Sequence, residues 1–491
     1  MRARAIGLLA AVGIGAVAAS APSFAPTIAR KVGVSVGSAS WCREGVCLLD
    51  VSRGETTANA ATLGWSGVLT LHHVKASLAE GSSGTGGNAS IPIRAVMVDD
   101  LVIRGTPLPS LNGEVWPRRS LVGEGVTVDG DTVRATVPTE YGEVRLTVDR
   151  VADGYDIDAA CLCSVKSASL SSLPLSDRRV RARGQYAAGH FSGTITLERV
   201  PIRVEADRGE GTNVSGSFSL DGVPIADVVD ALAPVVPEAA RATISGTLTG
   251  TGTFATPDAI TFVPHIEGFT VDGLVSSTLS GGRFTYPGRD ETGATVLVSS
   301  GEGSDDWLSL EAIGPMLPAA VVACEDAGFW HHAGYDLDGM VAAAADNRDR
   351  GHIVRGGSTL SQQLAKNLFL DGERTYARKV RELLYAVEME RELHKQRIMA
   401  LYLNIVEWGP AVRGARAAAN AYFAKSPSGL LPEEAAFLAS ILRNPRTAWE
   451  RQYRKERPDT ARIAFILDGM RDLSDEARAA ALARPIHLVP Q

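Results

Sequence analysis

The chain has 491 residues, 45% hydrophobic, 21% charged and 6% aromatic, which is length for about three domains and a sizeable core at roughly 150 residues per domain. Ordinary apolar and charged fractions exclude global disorder, and 50 glycines without a period of three and only 5 cysteines exclude collagen-like and small disulfide-stapled classes. The net charge of −7 is uneven: residues 350–491 carry 23 Lys and Arg against 16 Asp and Glu, a surplus of +7 that leaves −14 on residues 1–349.

A basic end on an acidic chain points to an anionic partner: phosphate groups, nucleic acid or a membrane surface. An Arg-rich solvated surface is the plain alternative.

The N-terminus opens with Met1-Arg2-Ala3-Arg4, and no charge follows from Ala5 to Ala29. That run suits a spanning helix of about 17–25 residues better than a secretory core of about 7–15. Small-residue cleavage patterns at Ala19-Ser20-Ala21 and Ser23-Phe24-Ala25 each precede a proline, Pro22 and Pro26. Residues 1–30 are therefore expected to be an anchor or signal, with an uncleaved anchor favoured. Arg2 and Arg4 keep the short end inside the cell and the bulk outside. In an exported chain, Cys42 and Cys47 around a short turn are disulfide candidates. Cys161 and Cys163 would close a very tight loop, so cross-pairing or free thiols are alternatives for them. Cys324 reads as a small buried hydrophobe.

Residues 31–298 read as β-rich. Val126 and Val128, then Val133, Ala135 and Val137, alternate around Asp129-Gly130, a hairpin signature. Phe191–Leu197, Val214–Leu220 and Ile244–Gly250 share a Ser-Gly-centred pattern, which suggests an extended sheet of similar units. One helix is expected near Ile225–Leu232. No catalytic constellation stands out in this half.

The texture changes near 300. Residues 299–308 read as a polar linker, and 309–470 as a mostly helical domain before a tail, 471–491. Val380, Leu383, Leu384 and Val387 fall at i, i+3, i+4 and i+7, and Ile398, Leu401 and Ile405 repeat the pattern. Pro432 opens a helix with Glu433 and Glu434 in its first turn. The expected fold class is α+β multidomain: an N-terminal membrane anchor, a β-rich repeat-like domain, then a mostly α domain.

Three clusters carry chemistry. Glu325-Asp326 ends an apolar helical run, and partial desolvation in a cleft fits such a carboxylate for general-base work. Taken alone, an acidic helix end in solvent is the commoner case. Gly356 to Asn367 places two glycines before Ser358, Thr359, Gln362 and Gln363. This suits a loop entering a helix with backbone N–H groups free to meet an anion, without the Walker spacing of nucleotide binders. Arg378 and Glu382 share a helix face at i, i+4, either as a surface ion pair or as a phosphate clamp beside a carboxylate.

In order, these clusters resemble the peptidoglycan glycosyltransferases of glycosyltransferase family 51, with their lysozyme-like transglycosylase domain. The family's first motif is matched by Glu325, Asp326, Phe329, His332 and Gly334. Its second is matched from Gly356 to Asn367, and its third by Arg378, Lys379 and Glu382. Lys395–Ile398, Tyr402–Asn404, Gly409 and Gly414 match the fourth; Glu434–Ala439 and Asn444-Pro445 match the fifth. Neither Ser-x-x-Lys nor Lys-Thr-Gly occurs, so a monofunctional enzyme without a transpeptidase domain is expected. The resemblance covers roughly 305–450.

The resemblance implies polymerisation of lipid II into β-1,4-linked strands. Undecaprenyl pyrophosphate would leave with inversion of the donor's anomeric carbon. Glu325 and Glu382 are the implied catalytic residues, the first as base, the second orienting cations or a divalent metal (Mg or Mn). Asp326, Phe329, His332, Gly357, Ser358, Thr359, Gln363, Lys366, Asn367, Arg378, Lys379 and Asn404 are the implied substrate-binding residues. Implied partners are lipid II, the undecaprenyl-pyrophosphate-linked strand, the bacterial inner membrane and other cell-wall synthesis proteins, with no nucleic acid. The implied location is that membrane, single-pass, with the bulk in the periplasm. The rivals are a lysozyme-like glycan-cleaving enzyme and a scaffold with a silent domain. The β half weakly resembles the AsmA-like periplasmic repeat proteins, which implies lipid handling; a spacer is the equal alternative.

Overall fold

The computed structural model describes residues 35–489. Excepted are 43–44, 54–55, 65–67, 78–94, 99–100, 105–120, 124–125, 130, 140, 167–169, 210–212, 257–258, 351–355, 371–372 and 374. Side chains are described chiefly from residue 131 onward. The expected anchor over 1–30 lies outside the described residues, as do the side chains of Cys42 and Cys47. Among the described residues no helix is long and apolar enough to cross a membrane.

The chain divides into two compact units. The first holds described residues up to 169, with 173–223 and 249–263. A six-stranded sheet spans residues 35–104, and a second sheet of eleven strands in sequence order begins at Leu121. The second sheet is built on alternation. In the strand Leu175–Ala187, Val180 and Ala182 are buried, whereas Arg181 and Arg183 are exposed. Antiparallel register sets Val180 against Leu197 and Ala182 against Ile195, so each apolar row is continuous across strands. On the polar face both arginines bond to Asp158. Gly184 and Gly193 pair across the ladder because the Phe191 ring lies over them; a Cβ on either would come within 3.0 Å of it. The strands on either side of the expected hairpin pair antiparallel, Val126 against Ala135 and Val128 against Val133. Cys161 pairs with Cys163 two residues along one strand.

The second unit comprises 170–172, 224–248 and 264–491. Its helices are α1 Ile225–Ala231, α2 Leu310–Ile313, α3 Met316–Glu325, α4 Leu337–Asp349, α5 Leu360–Phe369, α6 Tyr376–Glu392, α7 Lys395–Ile405, α8 Gly414–Phe423, α9 Pro432–Ile441, α10 Pro445–Ala448, α11 Thr460–Gly469 and α12 Asp475–Ala483. The helical part has an apolar core. Leu317, Val321, Leu364, Ile398, Leu401, Phe437 and Leu467 are fully buried. Pro432 takes the first turn of α9, where a missing N–H costs nothing, and Glu434 accepts from Leu431 N at 2.9 Å.

The expected linker, 299–308, is different in the structure. Its first three residues finish the strand Thr295–Gly301, which pairs with Arg283–Arg289. Trp307 then packs edge-on against Phe284 at 6.3 Å. The polar texture of Gly301–Asp306 marks only a turn, because apolar side chains on both sides of it belong to one core.

Candidate active site

The site is built from α3, α5, α6 and α7. Helix α3 buries Leu317, Ala320 and Val321, and so carries Glu325 at its last turn to the edge of the core. The Glu325 side chain keeps 14% of its surface. The chain then leaves the helix, and Asp326 turns inward, 8% exposed. Its carboxylate accepts from Leu360 N at 2.8 Å, the first N–H of α5, where the helix dipole favours a negative charge. It also accepts from His332 Nε2 at 2.9 Å. His332 Nδ1 accepts from Gly334 N at 3.1 Å, so the ring proton lies on Nε2.

Helix α5 begins with a capping box. Thr359 accepts from Gln362 N, and the Gln362 side chain accepts from Thr359 N at 3.0 Å. The Thr359 hydroxyl donates to Gly334 O at 2.7 Å. Gly334 sits at φ +95°, and a Cβ there would stand 2.9 Å from Ala386 O, so only glycine fits. This locked start aims Gln363, Lys366 and Asn367 along one face of α5. Gln363 Nε2 donates to Glu325 Oε2 at 3.0 Å, and Gln363 Oε1 accepts from Tyr402 Oη at 3.0 Å. Burial, with Glu325 next in effect, holds the Tyr402 hydroxyl far above its ordinary range, so it remains a donor.

The cations gather around Glu382, which is 1% exposed on α6. Arg378 bonds one carboxylate oxygen and Lys379 the other, and Lys379 Nζ also donates to Ser358 Oγ at 2.6 Å. Desolvation pulls the Lys366 ammonium below the ordinary lysine range; Glu382 pulls it back up, Lys379 and Arg378 push it further down, and Glu325 pulls it up. Lys366 thus feels both carboxylates. The Arg378 Nε is buried without a hydrogen-bond partner.

Several residues expected to touch substrate bond within the fold. Asp326, His332 and Thr359 are spent on fixing α5. Phe329 is fully buried, with the Lys395 ammonium 4.5 Å from its ring centre. Asn404, 7% exposed, accepts from Leu308 N at 2.9 Å and donates to Leu308 O and Ala400 O, which ties the chain before α2 to α7. Gly357 packs on α4; a Cβ there would stand 3.1 Å from Met340 Cα. Glu325, Ser358, Gln363, Lys366, Arg378, Lys379 and Glu382 are brought together, with Asn367 beside Lys366 on α5.

Two residues near Glu325 carry no motif signal. The Cys324 thiol donates towards Glu325 Oε1 at 3.2 Å and Ala439 O at 3.3 Å. Arg462 Nη2, on α11, meets Cys324 Sγ at 3.2 Å and lies 3.9 Å from Glu325 Oε1. Arg462 is 138 positions from Cys324 in sequence, and only the docking of α11 against α3 brings it there. The residues do not suit a divalent cation. Both Glu382 oxygens are taken by side-chain cations, and no group of three His, Cys, Asp or Glu suited to a metal occurs among the described residues.

A family model described as Transglycosylase matches residues 293–471. A "Biosynthetic peptidoglycan transglycosylase" of Thiobacillus denitrificans is 42% identical over 160 residues, 33% of this chain and 68% of the relative. The chain belongs to the peptidoglycan transglycosylase family. Proteins of the same description from Ralstonia nicotianae and Chromobacterium violaceum are 48% and 45% identical over 147 and 165 residues. Those stretches are 30% and 33% of this chain and 63% and 72% of the relatives. The chain thus spans about two thirds of each relative's length, and its residues before 293 have no counterpart in the match. The transglycosylase domain makes the protein a peptidoglycan glycosyltransferase of cell-wall synthesis, monofunctional in its motif content.

Proposed function

We propose that this protein polymerises lipid II at the bacterial inner membrane. The growing strand on undecaprenyl pyrophosphate is the donor and lipid II the acceptor. Glu325 takes the proton from the acceptor sugar hydroxyl as its oxygen attacks the donor's anomeric carbon. The bond from that carbon to pyrophosphate breaks, the centre inverts to a β-1,4 link, and undecaprenyl pyrophosphate leaves. Lys366, Arg378 and Lys379 neutralise the departing charge, and preorganised cations need no rearrangement as that charge develops. Glu382 holds two of them in place, Ser358 accepts from Lys379, and Asn367 follows Lys366 on α5.

The observation that carries this reading is the pairing of a carboxylate fixed by Gln363 with three cations gathered around a buried second carboxylate. A glycan-cleaving enzyme has no use for such a cluster opposite its acid. The expected N-terminal anchor would hold the protein at the membrane with its bulk in the periplasm. The β half would guide lipid-linked substrate or set the height of the enzyme. Glu325→Gln should abolish polymerisation of lipid II by the purified chain with its fold intact, and normal polymerisation would remove Glu325 as base. Arg378→Ala should weaken binding of farnesyl pyrophosphate, a soluble stand-in for the leaving group.

A further inference from the structure

Helix α6 has a second face that the chemistry above does not use. Arg381, Tyr385, Glu388 and Arg391 recur at i, i+4, i+7 and i+10, one stripe along the helix. Every one of them meets a residue that precedes the family match at 293. Arg381 Nε bonds both oxygens of Glu238 at 3.0 and 2.9 Å, and Glu238 is 1% exposed. The Tyr385 hydroxyl accepts from Arg241, and Arg391 bonds Asp272 at 2.5 Å. Glu388, 2% exposed, accepts from three successive backbone N–H groups, Gly273, Leu274 and Val275, at 2.9–3.1 Å. Three consecutive N–H groups converging on one carboxylate form an anion-holding nest. Gly273 makes the nest possible at φ +98°.

We infer that Glu238 and the 273–275 nest are positioning elements for the pyrophosphate clamp. The inference rests on the reading of Arg378, Lys379 and Glu382 as that clamp. A helix pinned along one stripe cannot turn about its axis; Arg378, one turn before Arg381, borders that stripe and Lys379 lies on the far side of the helix, so both keep their directions only while the stripe is held. Buried carboxylates tolerate burial only while their partners stay in register, so the contacts act as a gauge of the helix's rotation. Glu238 and Glu388 touch no substrate in this scheme; they act through Arg378 and Lys379. The working glycosyltransferase unit therefore includes 224–248 and 264–292 as well as the matched stretch, in keeping with the compact unit that holds them all.

The test uses the full chain with Glu238→Gln, which keeps shape and loses charge, and Arg381→Lys, which keeps charge and loses the Nε–H that bonds both Glu238 oxygens. Folding is checked by circular dichroism, and all readings are taken below each variant's melting transition. Glu238→Gln should raise the Kd for farnesyl pyrophosphate about tenfold and lower kcat/KM for lipid II at least as much; Arg381→Lys should show about half of that loss on a logarithmic scale. Folded variants with an unchanged Kd, whether or not kcat/KM falls, overturn the inference. If Glu238→Gln does not fold, Arg381→Lys alone decides: an unchanged Kd overturns it and a raised Kd supports it. Arg378→Ala is the control. If it leaves farnesyl pyrophosphate binding intact, the clamp reading itself falls; if it weakens binding while Glu238→Gln does not, only the positioning role falls.

Discussion

Gln363 holds Glu325 through its amide nitrogen at 3.0 Å, and is itself held at its other end by Tyr402. Because the Tyr402 hydroxyl stays protonated and donates, the Gln363 oxygen must face it and the amide nitrogen must face Glu325. The proposed base is aimed by a chain of two hydrogen bonds from the core. Gln363→Leu should cut kcat for lipid II polymerisation about 10–100-fold with KM within about twofold, as expected when a base loses its alignment. Tyr402→Phe should act in the same direction more weakly. Steady-state kinetics on both variants checks this, and a pure KM effect would contradict it.

Lys366 should show its burial in pH dependence. Its folded pKa lies below the ordinary 10.5, desolvation being the largest cause. The unfolded chain therefore binds this proton more tightly than the folded chain. Stability contributed at this position rises with pH between the folded value and 10.5 and is reduced below it. Lys366→Met should raise the melting temperature at neutral pH by about 2 °C or more. It should lower kcat/KM about 100-fold and remove an alkaline limb that in the native enzyme falls below pH 10.5. A variant both less stable and fully active would refute the assignment.

Burial, then the neighbouring Glu325 charge, pushes the Cys324 thiol up to about 12. The thiolate is the nucleophile, so native Cys324 should resist iodoacetamide at about pH 8 and react once unfolded. Mass spectrometry of the alkylated chain reads this directly. Arg462→Gln, which removes the cation bridging Cys324 and Glu325, should lower kcat about tenfold. An Arg462→Gln enzyme with native kcat would reduce that contact to packing.

Asn404→Ala separates framework from substrate contact. It leaves the Leu308 N–H and two carbonyls without their side-chain partner, so stability should fall by about 2–3 kcal/mol. KM for lipid II should be unchanged at a temperature where the variant is folded. A raised KM with native stability would restore Asn404 to the substrate site.

Much of the site was legible in one dimension because local geometry sets it. The capping box at Thr359 and Gln362 needs three residues' spacing, Arg378 and Glu382 need one helical turn, and Glu325 needs only the end of an apolar helix. What those motifs do was less legible. Asp326, Phe329, His332 and Asn404 occur in the same motifs as the reacting groups, yet they face inward. A motif records which residues are required, and framing a helix start requires residues as strictly as binding a sugar does.

The sequence by itself determined the helices, the strand alternation and the charge division at about residue 350, and it named the seven residues that meet at the site among others that do not. The tertiary structure alone decided which acid faces outward at Glu325-Asp326, that Arg462 reaches across from α11, and that 224–248 and 264–292 share a compact unit with the helical part. The reason is physical. Periodicity of 3.6 or 2 assigns a residue to a face, but only packing says what that face meets. Glu238 and Glu388 look like solvated acids in sequence and are 1% and 2% exposed in the fold, because partners more than a hundred residues away, an arginine for the first and backbone N–H groups for the second, satisfy them.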